Sequence, residues 1–335
     1  MIVVTGATGL VGGHLLWHLL QGHERVSAIR RKTSSMIPLR TIFRFYTENP
    51  DDFLGRIDWI EADIMNYQSV LSAFENKSVV YHCAAMVSLG STDSELLETN
   101  ITGTRNVVEA CLKNRVKKLC FVSSIAACGK VENEQLIDEK TLWVDSPQQL
   151  AYSRSKFFSE QEVWKGIEKG MKAVIVNPGI ILGVSGMNGG SSELFARMQK
   201  GLIFYTNGCR GYVDVQDVVK IMIQLTESDI SGERFVLVGN NCSNKDILSW
   251  MADGFGRRRP FIGIGKNMML IIGYFFEITG KLFGFKPLID TGTARSATGI
   301  SLYSSEKVRQ KLGYNFNSIE KCIEDVCRFR SENQP

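Results

Sequence analysis

The 335-residue chain lacks several features that mark common classes of protein. Its eight cysteines are scattered with no CxxC pair, and most lie in apolar runs, so we expect reduced thiols rather than disulfides or zinc. His14 and His18 lie one helical turn apart, but Leu15 stands where a zinc-protease helix carries glutamate, so we expect no metal. No charged stretch followed by an apolar stretch precedes the first strand, which favours a cytoplasmic location without a signal peptide.

Long apolar runs and dense charged tracts are also few. The net charge is only +4, and no segment combines dense basic residues with stacking aromatics, so we expect no nucleic-acid partner. The most apolar run, Met268 to Phe276, is far shorter than the ~18 residues that a spanning helix needs. Its continuation is amphipathic. We favour a helix packed over a substrate pocket, and contact with a membrane surface is the alternative.

Apolar runs and helical patterns alternate over the first half of the chain. Nearly all-apolar strands separated by helices predict a parallel sheet buried on both faces, a doubly wound α/β domain of the Rossmann type. We expect the first helix to end at Gly22, in the C′ position that favours a left-handed residue. The predicted strands cover residues 1–5, 25–29, 56–64, 79–85, 117–124 and 172–178, and the helices cover 9–22, about 92–114 and 151–170.

The pattern changes after Pro178. A glycine- and serine-rich loop enters a helix, and a further helix begins at Asp214, which we expect to be its N-cap. The predicted dinucleotide-binding domain therefore comprises 1–182 and about 213–239. Residues of about 183–212 and 240–335 are predicted to form a smaller, partly discontinuous C-terminal lobe that binds substrate.

The first strand-helix junction carries the motif TGATGLVG. Gly6 allows a tight turn, Gly9 lets the backbone approach a pyrophosphate, and Gly12 lets helix and strand pack closely. The pyrophosphate would lie at the positive end of the helix, against its free N–H groups. The motif predicts a dinucleotide site, whose loop and first helical turn also supply Thr8, Leu10 and Val11.

The end of the second strand indicates which dinucleotide binds. An acidic residue there would accept hydrogen bonds from the ribose of NAD and repel a 2′-phosphate. This chain instead has Arg30, Arg31 and Lys32, and a planar guanidinium suits phosphate. We therefore favour NADP over NAD, with a solvated basic loop as the alternative interpretation.

The segments TGATGLVG, VSSIAACG and YSRSK together resemble the extended short-chain dehydrogenase/reductases, in the NAD-dependent epimerase/dehydratase family. The resemblance continues through EADI, HCAA, TNITGTRNVVEAC, GYVDVQDVV and SSEKVRQKLGY, nearly the whole length. It implies an NAD(P)-dependent enzyme acting on CH–OH or C=O groups. It also implies a homodimer formed by pairing the helices at about 92–114 and 151–170.

The resemblance also assigns cofactor contacts to individual residues. Asp63 and Ile64 match the adenine contacts, and Ala84 and Ala85 match the pair that lines the cofactor after the fourth strand. Asn100 matches the asparagine that supports the active site. The stretch that meets the nicotinamide carboxamide corresponds to Pro178, Gly179, Ile180 and Ile181.

The family's catalytic triad corresponds to Ser124, Tyr152 and Lys156, with Ser123 as a neighbour that competes for the serine role. A lysine at i+4 lies on the tyrosine's helical face, so its charge should lower the tyrosine pKa from about 10. Tyr152 could then act as general acid in reduction and general base in oxidation. Ser124 could hydrogen-bond the substrate oxygen.

Departures from the family motifs reduce the number of reactions that the enzyme is expected to catalyse. Ile125 and Ala126 stand where sugar-nucleotide dehydratases carry an Asp-Glu pair, which argues against dehydration. Asn177, Ile180 and Val184 replace the Arg, Asn and Pro of the epimerase motif RxxNxYGP.

The segments NPGIILG and GYVDVQDVV look more like the dihydroflavonol 4-reductase and 3β-hydroxysteroid dehydrogenase branch. We therefore expect an NADP-dependent reductase of a hydrophobic or aromatic ketone or aldehyde. A nucleotide-sugar epimerase with tightly bound NAD stays open, because Arg210 sits where such enzymes keep a phosphate-binding arginine. A non-catalytic dinucleotide-sensing regulator is the third possibility.

Overall fold

The computed structural model describes residues 1–87, 92–129, 131, 135–146, 149–186, 190–283 and 291–333. A seven-stranded parallel sheet lies at its centre, in the order β11-β7-β5-β4-β1-β2-β3, which confirms the predicted doubly wound α/β fold. The strands are β1 (Ile2–Thr5), β2 (Val26–Arg30), β3 (Ile57–Glu61), β4 (Val79–His82), β5 (Lys118–Val122), β6 (Leu136–Ile137), β7 (Ala173–Pro178), β8 (Ile180–Leu182), β9 (Phe204–Thr206), β10 (Cys209–Asp214), β11 (Glu233–Leu237), β12 (Asn240–Ser243), β13 (Ile262–Ile264) and β14 (Leu302–Tyr303).

Helices cover both faces of the sheet, because its strands present apolar side chains to both sides. Val4 belongs to the core cluster beneath α1, α2 and α8, while the next residue back, Val3, belongs to the cluster beneath α4, α5 and α6. The helices are α1 (Leu10–Gly22), α2 (Ile37–Tyr46), α3 (Pro50–Leu54), α4 (Tyr67–Ala73), α5 (Asp93–Lys113), α6 (Ala151–Glu168), α7 (Ser191–Gln199), α8 (Val215–Glu227), α9 (Asn244–Gly254), α10 (Lys266–Phe283), α11 (Thr291–Thr298), α12 (Glu306–Leu312) and α13 (Ile319–Asn333).

A second apolar core lies between α7, α9 and α13 and a small three-stranded sheet of order β12-β10-β8. β8 and β10 pair in parallel through Tyr212 and Ile180. The remaining strands of the described residues form two two-stranded sheets, β13-β9 and β14-β6. β11 returns to the main sheet beside β7, while the exact division into two domains stays a prediction.

The end of α1 differs from the expectation. Gly22 is the last helical residue, and His23 follows it with an extended backbone, φ −131. The guanidinium of Arg56 donates to the carbonyls of Leu20 and His23, at 2.6 and 2.7 Å. Because Arg56 satisfies these free carbonyls, the chain needs no left-handed glycine there and passes directly into β2. Asp214 is confirmed as the N-cap of α8, where its carboxylate accepts from the Gln216 N–H.

Candidate active site

The glycine loop lies at the switch point of the sheet, where β1 has β2 on one side and β4 on the other. Gly6 has a φ of +67, and a Cβ on it would come within 2.5 Å of the Ala84 backbone nitrogen. A Cβ on Gly12 would lie 2.2 Å from the Gly6 carbonyl oxygen. Ligands of doubly wound sheets bind at this crevice, so the loop geometry fits the pyrophosphate cradle that the motif predicts.

The first turn of α1 faces this crevice. Gly9 is its N-cap, and the first helical hydrogen bond runs from Gly13 back to Gly9, at 2.8 Å. The N–H groups of Leu10, Val11 and Gly12 precede that bond, so the helix leaves them available to an anion. Thr8 is partly exposed beside them. The predicted loop residues therefore form one surface suited to a diphosphate.

Basic side chains lie at the carboxyl end of β2, next to the glycine loop. The Arg30 guanidinium carbon lies 5.2 Å from the centroid of the Trp59 ring. Arg31 and Lys32 are exposed, and the Arg31 N–H donates to the Ser34 hydroxyl at 3.1 Å. These positions fit a phosphate carried near the ribose of a dinucleotide.

The predicted adenine contacts lie after β3. Asp63 is fixed by its own turn: its N–H donates to Ser69 Oγ, and its carboxylate accepts from the Met65 N–H. Asn106 on α5 donates to the Ile64 carbonyl at 2.8 Å. A Cβ on Gly103 would lie 2.6 Å from Ile64 Cδ1, so glycine there permits Ile64 to pack against α5.

Ala84 and Ala85 follow β4 and are partly exposed beside the glycine loop. A polar chain that sequence reasoning missed fixes this segment. His82 hydrogen-bonds Thr5 through Nδ1 at 2.8 Å and Thr104 through Nε2 at 3.2 Å, and the Ala84 N–H donates to Thr5 Oγ1. In the sequence, the hydroxyl residues at the end of β1 and along α5 were the feature that could have indicated this chain of hydrogen bonds. The chain joins β1, β4 and α5 beneath the crevice.

Asn100, which the resemblance predicts to support the site, lies between the loop after β4 and α6. It is buried, accepts from the Met86 N–H at 2.7 Å and donates to the Met86 carbonyl. Its amide also donates to Ser155 Oγ at 3.0 Å, and Ser155 in turn donates to the Tyr152 carbonyl. Asn100 therefore ties the loop after β4 to the first turn of α6.

Ser124 and Tyr152 come together at the carboxyl end of β5. Ser124 follows β5 and caps a short 3-10 turn, where its hydroxyl accepts from the Ala126 N–H at 3.1 Å, and its side chain lies beside that of Tyr152 near the start of α6. Burial raises the pKa of Tyr152, and the neighbouring Ser124 hydroxyl partly offsets this rise. The prediction that lysine lowers the pKa of Tyr152 was wrong. The Lys156 ammonium donates to the Val122 carbonyl instead, at 3.0 Å.

Lys156 is buried one helical turn beyond Tyr152. Its Nζ lies 5.5 Å from the centroid of the Phe121 ring. Burial lowers the pKa of Lys156 to about 8, against opposing contributions from Cys83 and Glu160. The side chain therefore carries its charge at neutral pH and loses it in mildly alkaline solution.

The two serines at the end of β5 have different partners. Ser123 is buried, and its hydroxyl donates to Glu160 Oε1 at 2.5 Å. The amide of Asn177 donates to the same carboxylate oxygen and to the Ser124 carbonyl. Arg234 on β11 pairs with the other oxygen of Glu160 at 3.3 Å. Ser123 is thus occupied by this network, while Ser124 faces Tyr152.

Sequence reasoning missed the Glu160 network. Glu160 lies four residues after Lys156 on α6, and an acid on the buried face of a helix was the one signal that the sequence offered. Burial raises the pKa of Glu160, whereas Ser123, Arg234 and Asn177 each stabilise its charged form. The carboxylate holds β5, β7 and β11 at fixed positions beneath Ser124.

The stretch from Pro178 to Ile181 leaves the main sheet at this same end. The Gly179 N–H donates to the Leu237 carbonyl, and a Cβ on Gly179 would meet the Gly211 carbonyl oxygen at 2.5 Å. Ile180 and Ile181 then pair with β10. The Ile180 side chain is 37% exposed, and its contact with the cofactor stays a prediction.

A parallel doubly wound sheet with a glycine cradle at its switch point defines a dinucleotide-binding α/β protein. The chain belongs to the NAD dependent epimerase/dehydratase family, whose sequence profile matches residues 2–238. It is an NAD(P)-dependent enzyme of the extended short-chain dehydrogenase/reductase type, with curated relatives in the dihydroflavonol 4-reductase and 3β-hydroxysteroid dehydrogenase branch.

Three curated relatives illustrate the range of this family. Sterol demethylase protein B of Methylococcus capsulatus is 29% identical, over 80% of this chain and 78% of that protein. The 3beta-hydroxysteroid-dehydrogenase/decarboxylase isoform 1 of Arabidopsis thaliana is 24% identical, over 99% and 81%. Tetraketide alpha-pyrone reductase 1 of the same plant is 25% identical, over 97% and 93%.

Solved structures share the fold. The crystal structure of gox2253 matches with a TM-score of 0.84 and 24% identity, covering 100% of this chain and 98% of that one. UDP-glucose 4-epimerase of Thermus thermophilus, solved with NAD, matches with a TM-score of 0.74 and 20% identity, covering 98% of each chain. Among the described residues, no helix is both long enough and apolar enough to cross a membrane.

Proposed function

We propose that the protein is an NADP-dependent reductase of a ketone or aldehyde on a small hydrophobic or aromatic substrate, and that it oxidises the matching secondary alcohol in reverse. One observation carries the proposal. The Ser124 and Tyr152 side chains lie beside each other, with the buried Lys156 one helical turn away. All three lie at the carboxyl edge of the sheet that also bears the glycine cradle.

Each of the three side chains has a separate role in carbonyl reduction. When bound, the nicotinamide supplies the hydride in reduction and accepts it in oxidation. Tyr152 donates the proton to the developing alkoxide, and its raised pKa keeps it protonated at neutral pH. Ser124 donates a hydrogen bond to the substrate oxygen. Lys156 carries its charge near neutral pH, and we propose that its ammonium turns from the Val122 carbonyl towards the tyrosinate once the proton has left.

The preference for NADP rests on Arg30 and Arg31. Arg30 is held over Trp59, and Arg31 is exposed at the same strand end. Two guanidinium groups there supply planar donors for a 2′-phosphate, which NAD lacks. We expect the KM for NADPH to rise at least tenfold in the Arg31→Ala variant, with little change for NADH.

The proposed substrate class follows from the relatives and from the chain's own departures. Two relatives are named for sterols and one for a tetraketide pyrone, all largely apolar carbon skeletons. Ile125 and Ala126 supply no acid-base pair for dehydration. A carbonyl on an apolar ring system is therefore the first substrate to test.

The test follows NADPH absorbance with a panel of ketones, aldehydes and UDP-sugars. We expect one class of carbonyl compound to oxidise NADPH. The rate of that oxidation should fall at least about a thousandfold in Tyr152→Phe, which removes only the proton donor. Tyr274→Phe, at an exposed tyrosine on α10, is the matched control and should retain full activity.

Two results would replace the proposal. Interconversion of a UDP-sugar without net NADPH oxidation would assign the site to an epimerase with tightly bound NAD. Tight dinucleotide binding with no turnover on any substrate, in wild type and variant alike, would assign it to a sensing regulator.

We also propose a homodimer that pairs α5 and α6 with the same helices of a second copy. The two helices pack side by side on one face of the sheet, which makes a broad helical surface available. Sedimentation of the purified protein as a monomer at all concentrations would contradict this proposal.

A further inference from the structure

Helix α10 carries an apolar face that no other described element covers. Met268, Ile271, Phe275 and Ile278 recur at spacings of three, four and three residues, which places them on one side of the helix. Their side chains are 56%, 65%, 62% and 43% exposed. Tyr274 is exposed beside them. A contiguous exposed apolar face of this kind marks an interaction site rather than ordinary surface.

A second apolar patch directly precedes the helix. Phe261 and Ile262 are exposed, and so are Ile203 and Phe204 on the neighbouring chain segment. Ile262 and Phe204 are partners in the β13-β9 pairing, so their backbones lie side by side. Only Gly265 separates β13 from α10. The two patches therefore follow each other along one part of the lobe, and we call them together the α10 face.

Basic residues border the α10 face. Arg257, Arg258 and Arg259 come just before Pro260 and are all exposed, with Arg259 paired to Asp253 at 2.7 Å. The Arg258 guanidinium carbon lies 4.3 Å from the centroid of the Phe261 ring. The stretch 256–283 contains five basic residues and one acid, Glu277, so its formal charge of +4 equals that of the whole chain.

We propose that the α10 face binds the surface of an anionic lipid bilayer, with α10 lying in the plane of the interface. An amphipathic helix with aromatic and aliphatic side chains on one face and cationic residues at its border suits the boundary between headgroups and acyl chains. Positive charge concentrated in this stretch is attracted to anionic headgroups. The exposure of the face thus supports surface contact over a helix packed on a substrate pocket.

The charge also argues against a second copy as the occupant. A two-fold dimer places the same surface on both partners, so the basic residues around Arg258 would face their own copies. That juxtaposition is repulsive, whereas a bilayer of opposite charge is not. This inference does not depend on the proposed reaction, because none of its residues belongs to the catalytic machinery.

Vesicle flotation tests the proposal with the full chain. Wild-type protein should float with vesicles of phosphatidylcholine containing roughly a third phosphatidylglycerol, and float weakly with phosphatidylcholine alone. The Ile271→Ser/Phe275→Ser double variant should bind at least tenfold more weakly, because two side chains no longer enter the apolar boundary. Arg258→Gln should weaken binding to the anionic vesicles and leave the weak neutral binding unchanged.

A matched control separates this face from exposed apolar residues in general. Ile37→Ser removes an exposed isoleucine on α2 and should float like the wild type. Circular dichroism and the thermal midpoint should match the wild type in all variants, because the changed side chains are exposed.

Three outcomes overturn the proposal. The first is no flotation of wild type with either vesicle, and the second is equal flotation of the double variant. The third is a wild-type dimer that the double variant converts to a monomer, with no vesicle binding, which would assign the α10 face to a second copy.

Discussion

Ser123 and Ser124 are neighbours in the chain, yet their surroundings give them different tasks. Ser123 is buried and donates to Glu160, while Ser124 is partly exposed and lies beside Tyr152. Ser124, Tyr152 and Lys156 were predicted from motifs local to one strand end and one helix turn, and the structure brings them to the same edge of the sheet, while their catalytic roles stay a prediction. The sequence could not foresee Glu160 pairing with Arg234, since 74 residues separate them along the chain.

Replacing Ser124 tests its role at the residue scale. In Ser124→Ala, kcat for the active carbonyl substrate should fall about 10²- to 10³-fold, because the hydrogen bond to the developing oxyanion is lost. The unfolding free energy should change by less than about 1 kcal/mol, since the hydroxyl is partly exposed. Steady-state kinetics and urea denaturation measure the two quantities. An unchanged kcat would show that Ser124 does not contact the reacting oxygen.

The buried lysine should set the alkaline limb of the reaction. Burial lowers the pKa of Lys156 to about 8, so its charge is present below that pH and is lost above it. The kcat/KM for carbonyl reduction should therefore decline as the pH rises through about 8. A pH–rate profile between about 6 and 10 measures this. Lys165→Met, at an exposed lysine on the same helix, should leave the limb in place, and a flat wild-type profile would contradict the assignment.

At the scale of elements, the sequence predicted the parallel strands well, because each strand is buried on both faces and reads as a nearly unbroken apolar run. Of the helices that cover the sheet, α1, α5, α6 and α8 were predicted, whereas α2 and α4 were not. The helices at Asp93–Lys113 and Ala151–Glu168 lie within one or two residues of the predicted bounds. The short strands β9, β13 and β14 were not predicted, since two or three residues give no periodicity. The end of α1 was predicted wrongly because its cap, Arg56, lies 34 residues beyond Gly22 in sequence and close to it only in the fold.

The Glu160–Arg234 pair joins α6 to β11, and breaking it should cost stability. In Glu160→Gln, Arg234 loses its carboxylate partner while 17% exposed, so the unfolding free energy should fall by about 2–3 kcal/mol. Glu193→Gln, which breaks a half-exposed pair with Arg197 on α7, should cost at most about 0.5 kcal/mol. Urea denaturation compares the two. Equal losses would mean that the buried pair has no special role.

The packing of α1 against the glycine loop should be just as sensitive. In Gly12→Ala, the new methyl would lie 2.2 Å from the Gly6 carbonyl oxygen, with only backbone as its neighbour, so the loop must shift. NADPH affinity should fall at least about tenfold, measured by fluorescence titration. Gly22→Ala is the matched control within the same helix, because a Cβ there meets nothing within 4 Å, and it should bind NADPH normally. If Gly12→Ala binds NADPH as tightly as the wild type, the glycine loop does not form part of the cofactor site.

For the molecule as a whole, the few histidines influence stability more than their number suggests. Burial lowers the pKa of His14 and of His18 to about 4 and that of His82 to about 3. The Nε2–H of His14 donates to the Val184 carbonyl at 2.8 Å, so it ties α1 to the loop after β8. Leu15, in place of the glutamate of a zinc-protease helix, argued against a metal at His14 and His18, but only the fold shows that burial keeps both rings neutral.

Acid should therefore destabilise the protein before its ion pairs protonate. The folded pKa of His82 lies below its unfolded value of about 6.5, so between the two the unfolded chain binds the extra proton and stability falls as the pH falls. Burial raises the pKa of Asp217 to about 6, which opposes this trend.

A comparison of variants isolates the contribution of His82. From pH 6.5 towards 4, the unfolding free energy of the wild type should fall by up to about 1.4 kcal/mol per pH unit more than that of His82→Gln. His23→Gln, at an exposed site, should follow the wild type. Parallel slopes in all three proteins would mean that His82 is already protonated in the folded state, and that the Thr5–His82–Thr104 chain does not hold it neutral.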